Sequence, residues 1–460
     1  MTRDHDLAII GAGSAGLYGA LKADQLGARV ILIEGAEVGG TCPNRGCLPT
    51  KHLVTAAERY YYGQSDAFRG VVPIGSRLDF AKLMSEKEAV VRYARNEKYE
   101  MIAAHPGIDL IQGRARLVSK EKVAVDGRMV SADRILLATG SSPILPDIPG
   151  LPEAAPLTSD RVQRLTMLPP RLVVIGGGEV GLEYGQLFLH LGVEVILLEK
   201  EARILPREEP EISEALRKYL EEEKMEIHTG VTVAEVRRLD DPGLRRVIVH
   251  REDQAIYFDT PAVFVACGRR PNSAGLGLEE AGVRTKPTGA VEVDPFFQTS
   301  VPNIFAAGDL LGPIRMLSSI ADREGEIAVE NALRGARYTM DDRGIPYAIL
   351  TSPQVASVGM KEEEALREGI QAETMVLHLP EELPKATADR GLIKLVVEKG
   401  SGQILGVHLL AAKAAEAIHE AIFIVKGKLT VREVCRTVHV YPTVAESILR
   451  AVEAFQSKAA

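Results

Sequence analysis

The feature that most constrains this 460-residue chain is a gapless echo of its own beginning. The stretch LAIIGAGSAGLYGALKADQLGARVILIE, Leu7 to Glu34, returns as LVVIGGGEVGLEYGQLFLHLGVEVILLE, Leu172 to Glu199. Each copy reads as an apolar run, a Gly-x-Gly-x-x-Gly turn, a segment of helical period, then glycine and a second apolar run ending in glutamate. That order predicts a strand-helix-strand unit made twice. Gly11 and Gly176 permit the tight turn, Gly13 and Gly178 let a pyrophosphate approach the backbone, and Gly16 and Gly181 let helix and strand pack closely. The phosphates then sit at a helix N-terminus. Glu34 and Glu199 stand where a carboxylate accepts hydrogen bonds from ribose hydroxyls. One such glycine pattern is a common turn; two in full context predict two bound dinucleotides. DRILLATGSSP (Asp133 to Pro143, with Thr139 and Gly140) and AVFVACGRRPN (Ala262 to Asn272, with Gly268) each read as a buried strand ending in a glycine turn, suited to closing one unit.

The rest of the composition excludes several function classes. The chain carries 55 Lys and Arg against 63 Asp and Glu, a net charge of -8, and its cations are scattered, so it has no basic footprint for nucleic acid. No uncharged apolar run approaches the roughly 18 residues that span a membrane. The start, MTRDHDLAIIGAG, lacks the pattern of a secretory signal, and the expectation is a cytoplasmic protein.

Two of the four cysteines, Cys42 and Cys47, lie in GGTCPNRGCLPTK, Gly39 to Lys51. In a regular helix, positions five apart are separated by roughly 7.5 Å along the axis. A disulfide needs Cα atoms about 4.4 to 6.8 Å apart. A bond between these cysteines therefore requires a distorted helix or a turn, which Pro43 and Gly46 permit. A structural staple, a two-thiolate metal clip and two unrelated thiols remain alternatives at this point. In a cytoplasmic setting a close pair is more often redox-active or metal-binding than structural. Two dinucleotides beside a dithiol outline an electron relay from nicotinamide to flavin to sulfur.

On these residues the chain resembles the FAD-dependent pyridine nucleotide-disulfide oxidoreductases, a group that includes dihydrolipoamide dehydrogenase, glutathione reductase and mercuric reductase. The matching stretches, in the family's order, are GAGSAG, GGTCPNRGCLPTK, ILLATG, GGGEVGLE, ACGRRPN, VPNIFAAGDL, TSPQVASVGM and VYPTVAE. The resemblance implies an α/β fold of two Rossmann-like domains, for FAD and for NADH or NADPH, followed by a C-terminal α+β dimerisation domain. The implied boundaries are 1–150 with 276–345 for FAD, 151–275 for NAD(P)H and 346–460 for dimerisation. It further implies that Cys42 and Cys47 form the redox disulfide, with Cys47 facing the flavin as charge-transfer thiolate and Cys42 meeting substrate. Lys51 and Glu183 match the family's ion pair beside the flavin. Thr41, Thr139, Gly140, Gly268, Gly308 and Asp309 join the glycines and glutamates above as implied cofactor contacts. The active site of such a homodimer is shared across the interface. Cys267 and Cys435 are most simply structural thiols.

One departure bears on the substrate. Disulfide-reducing members carry His-Pro-Thr and then a glutamate near the C-terminus, the histidine serving as acid-base catalyst for the partner's thiols. Here the text is HVYPTVAE: Tyr441 precedes Pro442, and Glu446 keeps its place. Histidine, with a reference pKa of about 6.5, exchanges protons near neutrality, whereas tyrosine at about 10 is a poor base there. His439 stands two residues earlier, displaced by roughly 6.5 Å along an extended segment. Tyrosine at this place, together with Leu383 to Leu410, resembles the mercuric reductase branch. That likeness implies a thiol-bound soft metal ion, transiently held by Cys42 and Cys47, as acceptor. Neither the terminal cysteine pair of that branch nor its N-terminal metal-binding domain is present in the sequence, which ends AVEAFQSKAA. Dihydrolipoamide dehydrogenase activity and a slowly turning redox sensor are the rival expectations. Glu199 favours NADH, while Lys200 and Arg203 soften its repulsion of a 2′-phosphate.

Overall fold

The computed structural model describes residues 4–64, 75–241, 243–252, 254–312, 316–335, 337–379 and 391–459. The two echoes fold as equivalent units. In the first, strand His5–Ile10 lies between Val30–Glu34 and Arg128–Leu137, with Ile108–Gln112 beyond Val30–Glu34, all parallel. In the second, Arg171–Ile175 lies between Glu194–Leu198 and Ala262–Val265, with Glu226–His228 on the outside, again all parallel. Even the register is shared: Leu7 faces Val30, and Leu172 faces Val195. Each unit inserts an antiparallel meander ahead of its last parallel strand or as part of it. In the first, Ala115–Ser119 and Lys122–Val125 pair onto the long strand Arg128–Leu137. In the second, Thr232–Arg238, Arg245–Arg251 and Gln254–Thr260 form a separate three-stranded sheet.

These strands are apolar over most of their length because both faces of a parallel sheet are covered. Leu7, Ile9, Leu32 and Leu136 pack with helices Ser14–Gln25 and Ser318–Arg334 on one side. Ala8, Ile10, Ile33 and Leu137 pack on the other. After the second unit the chain returns to the first sheet, where Ile304–Ala306 pairs in parallel with Arg128–Leu137. The C-terminal part is a five-stranded antiparallel sheet in the order Tyr347–Ile349, Gln354–Gly359, Ile404–Ala411, Gly391–Glu398, Ala372–Leu379. Helices Ala414–Lys426 and Val444–Ala459 cover it. Of the Leu383 to Leu410 stretch, 383–390 lies outside the described residues. Gly391–Glu398 and Ile404–Ala411 form the two central partners of this sheet.

Among the described residues no helix is long and apolar enough to cross a membrane. One close approach sets the first unit's helical layer. Helix Ser318–Arg334 crosses Ser14–Gln25 where a Cβ on Gly325 would lie 2.0 Å from the Ala15 carbonyl oxygen. Gly325→Ala must therefore push the helices apart. The expected outcome is a loss of about 1–3 kcal/mol in urea unfolding, together with faster loss of bound flavin on dilution.

Candidate functional site

Both glycine turns are built to admit a phosphate. Gly11 and Gly176 sit at φ +103° and +110°, and a Cβ on either would strike the carbonyl of Ala138 or Ala266 at 2.3 or 2.5 Å. On Gly16 and Gly181 a Cβ would strike the Gly11 or Gly176 carbonyl oxygen at 1.8 or 1.9 Å. Gly13 and Gly178 face open space: the nearest atom to an added Cβ is at 3.7 Å for Gly13, and none lies within 4 Å for Gly178. Each of these two residues is the N-cap of its helix with no side-chain cap, which leaves first-turn amides for an anion.

The two acids are held alike. Glu34 accepts hydrogen bonds from Ala12 N and Ala36 N, both at 2.7 Å. Glu199 accepts from Gly177 N at 2.6 Å and Glu201 N at 2.8 Å. Each oxygen has one backbone donor and a further lone pair for a ribose hydroxyl. These observations fit a dinucleotide in each unit.

The two glycine-ended echoes meet. Strand Ser141–Pro143 pairs antiparallel with Arg269–Pro271. Thr139 Oγ1 donates to the Asn272 carbonyl at 2.8 Å, and Asn272 N donates to Gly140 O at 2.9 Å. Gly140 and Gly268 take φ of +70° and +100° to make this crossing between units. The Thr139 hydroxyl is thus committed within the protein. Gly308, at φ +74°, donates its amide to the buried Glu324 at 2.8 Å. Asp309 accepts from Ser141 Oγ at 2.6 Å, and Ser141 in turn accepts from Arg269 Nε at 2.7 Å.

Cys42 and Cys47 are free thiols on two abutting helices, Thr41–Arg45 and Cys47–Tyr62, broken at Gly46 with φ -115° and ψ -113°. The helix is distorted where the sequence placed its glycine. Thr41 opens the first helix, and its carbonyl oxygen lies 3.0 Å from where a Gly46 Cβ would be. The two thiols are joined by a hydrogen bond. A hydrogen bond from Cys47 brings Cys42 down to about 7, against the effect of burial, with help from Ser318 and opposition from Asp322. The same bond pushes Cys47 up, as does burial, while the nearby Lys51 charge pulls it down. The two thiols thus behave as one linked pair, with Cys42 lowered and Cys47 raised by the bond between them. Ser318 and Asp322 went unnoticed in the sequence, because nothing local to residue 42 points to a helix more than half the chain away.

Lys51 Nζ bridges both carboxylate oxygens of Glu183 at 2.7 and 2.6 Å, and Leu350 N donates to one of them at 2.8 Å. Tyr441 and Glu446 stand elsewhere. Tyr441 is 74% exposed. Glu446 lies in the first turn of Val444–Ala459, where its amide donates to Thr443 Oγ1 at 3.1 Å. His439 is tied to Glu420 in its own chain by a short hydrogen bond. Cys267 donates to Ile175 O at 3.5 Å and is pushed up to about 11 by burial and by Glu199. Among the described residues no group of three or more His, Cys, Asp and Glu side chains could hold a metal ion.

The pyridine nucleotide-disulphide oxidoreductase sequence model matches residues 5–327, and the model of that family's dimerisation domain matches 345–452. The chain belongs to this family. It is an oxidoreductase that binds FAD and uses NAD(P)H, with a dimerisation domain at its C-terminal end. A mercuric reductase from Lysinibacillus sphaericus is 38% identical over 98% of this chain and 83% of its own length. A dihydrolipoyl dehydrogenase from Thermus scotoductus is 34% identical over 99% of this chain and 98% of its own. A Cu(II) complex of the HOCl-induced flavoprotein disulfide reductase RclA from Escherichia coli superposes with a TM-score of 0.86 at 28% identity, covering 97% of this chain and 99% of that one.

Thiolate is the reactive form of cysteine. Alkylation of the reduced enzyme by iodoacetamide should therefore speed up as pH rises through about 7, where Cys42 loses its proton. Cys42→Ser should abolish that step, and its persistence would assign the ionisation to another group.

Proposed function

We propose that the protein reduces thiol-bound Hg²⁺ with electrons from NADH. The overall reaction is NADH + Hg²⁺ → NAD⁺ + H⁺ + Hg⁰: the hydride's two electrons go to the metal and its proton to solvent. FAD supplies the relay between hydride donor and sulfur. In this reading the first unit holds FAD and the second NADH. Cys42, the thiol that meets substrate, attacks the incoming metal complex and displaces one of its thiolates. Cys47 then displaces the other, so the ion is held between two soft sulfurs. Lys51 keeps positive charge near Cys47 and favours its thiolate form. Tyr441 and Glu446 of one subunit reach the dithiol of the other, the tyrosine hydroxyl steadying the thiolate-bound ion.

The observation that carries this reading is the state of the imidazole nearest the motif. His439 is engaged by Glu420, and Tyr441 occupies the place before Pro442. Reduction of a disulfide substrate needs a general acid that gives protons to leaving thiolates, help typically worth 10² to 10⁴ in rate. Displacing thiolates from a metal by a dithiol already short of one proton needs that help far less. The mercuric reductases at 36–38% identity support the same acceptor. Copper(II) is a second soft-to-borderline ion that a dithiolate would bind, and the RclA complex makes it a necessary comparison.

The deciding measurement is anaerobic NADH oxidation with thiol-complexed Hg²⁺, Cu²⁺ and lipoamide in parallel. Hg²⁺ turnover at least roughly 10²-fold above lipoamide is expected, and Cys42→Ser should lose it with FAD still bound. Faster turnover of lipoamide would overturn the metal reading. Glu199, 7% exposed and pre-oriented, should reject a 2′-phosphate. Glu199→Gln is expected to lower the NADH to NADPH ratio of kcat/KM by roughly 10-fold; an unchanged ratio removes Glu199 from cofactor choice.

A further inference from the structure

The Lys51–Glu183 pair has a neutral neighbour that the reaction as described does not use. Thr50 Oγ1 and Tyr184 OH lie 2.8 Å apart, and both residues are buried, at 4% and 2% exposure. Thr50 immediately precedes Lys51 on helix Cys47–Tyr62, and Tyr184 immediately follows Glu183 on helix Glu179–His190. The two helices are thus joined by two rungs made from consecutive residues. The first of them begins at Cys47. The second begins at the glycine turn of the second nucleotide unit. Whatever fixes one helix on the other also fixes the dithiol relative to that unit.

The rungs differ in stiffness. Lysine reaches through four methylenes, so its ammonium keeps contact with Glu183 while the helices slide or roll. Threonine and the flat phenol have short or rigid side chains, so their bond tolerates little movement. Successive residues on a helix also point about 100° apart, so two rungs at neighbouring positions restrain rotation as well as sliding. The phenol has two polar partners, Thr50 Oγ1 and Gln163 Nε2, each at 2.8 Å. The Gln163 backbone is held in turn, its main-chain carbonyl accepting from the buried Lys87 Nζ at 2.6 Å. The Tyr184 ring packs against Phe264, centroids 5.0 Å apart, from the central sheet of the second unit. Burial raises the phenol's pKa well above the ordinary tyrosine value, so it stays neutral and offers geometry rather than proton transfer.

We propose that Tyr184 is a positioning residue for electron transfer: its hydrogen bond to Thr50 sets the seating of the second unit's first helix on the dithiol helix and so holds Lys51–Glu183 in place. This rests on the reading that the pair borders the bound flavin. Near-attack geometry is sensitive enough that a displacement of about 1 Å can cost on the order of 10²-fold. Removing one hydroxyl from a packed, dry site is a milder change.

The test uses FAD-loaded Tyr184→Phe, Thr50→Val, the double variant and Lys51→Met. Anaerobic stopped flow gives the rate of flavin reduction by NADH, and the visible spectrum of the two-electron-reduced enzyme reports the surroundings of flavin and thiolate. Either single substitution should slow flavin reduction roughly 10-fold and alter that spectrum, while FAD content and reoxidation of the prereduced enzyme by the acceptor stay native. The double variant should be no worse than either single one, because both remove the same bond. Native reduction rates and spectra in both single variants overturn the proposal, provided Lys51→Met is impaired. Equal slowing of both half-reactions with loss of FAD also overturns it, because that denotes general destabilisation. A Lys51→Met enzyme with native spectrum and rate refutes instead the reading beneath it.

Discussion

At the base of each nucleotide turn there is no room for a Cβ, and the rest of the molecule is arranged around that constraint. The strand must reverse into a helix so sharply that Gly16 and Gly181 touch the carbonyl oxygens of Gly11 and Gly176. This closeness aims the first helical amides outward at one point, beside the open Gly13 and Gly178. It also brings the end of the next strand near enough for its glutamate to bind the turn's backbone. Ala12 and Gly177 are the donors, and their partners Glu34 and Glu199 are thereby pre-oriented. Glycine turn, helix end and acid form one rigid device, and the chain contains it twice.

What joins the devices is as consequential as the devices themselves. Three kinds of contact cross between them or lead away from them. A short antiparallel ladder, Ser141–Pro143 with Arg269–Pro271, couples the chain at both crossings. The rungs from Thr50 and Lys51 couple the dithiol helix to the second unit. A buried ion cluster couples the second unit to the C-terminal sheet: Lys394, 1% exposed, meets Glu209, Glu211 and Glu362 at 2.9, 2.9 and 2.7 Å. Burial disfavours that ammonium, but its hydrogen bonds to Glu362, Glu209 and Glu211 outweigh the penalty and hold its pKa above the ordinary lysine value. Glu209 is the one buried carboxylate of the three, and removing a partner from such a buried pair typically costs about 3–5 kcal/mol, so this contact fixes orientation more firmly than an exposed ion pair does. It also anchors the far end of the loop that starts at Glu199.

The sequence made the doubled device legible because every requirement of a nucleotide turn is local: glycine spacing, apolar period and a terminal acid fall within 28 residues of each copy. The shared register, Leu7 facing Val30 and Leu172 facing Val195, is seen only in the structure. The Cys42–Cys47 distortion was legible because it too is local, as Gly46 sits between the two. The contacts that join units were not. Lys394 reads as one polar residue in an apolar strand, and its three carboxylates lie more than thirty or more than 180 positions away. Thr139 illustrates a subtler limit: its motif was visible, but only the fold shows its hydroxyl spent on Asn272. The distant neighbours of Cys42 were likewise invisible: Ser318 lowers its pKa and Asp322 raises it, and both reach it only through tertiary packing.

Proton supply links these observations to the choice of acceptor. A dithiol that reduces another disulfide must hand a proton to each departing thiolate, and the site then needs a group that titrates near neutrality and is free to move its proton. Cys42 and Cys47 are hydrogen-bonded to each other, and the Lys51 charge favours the thiolate form of Cys47. In the C-terminal segment the imidazole of His439 is turned inward to Glu420, while Val438, Val440 and Tyr441 face outward at 95%, 76% and 74% exposure. This exposed run lies in the dimerisation domain, and it carries an aromatic hydroxyl where acid-base chemistry would require an imidazole. The thiols are thus prepared to bind and hold an electrophile, and poorly prepared to protonate a leaving group. That asymmetry favours a metal ion over a disulfide as the terminal acceptor.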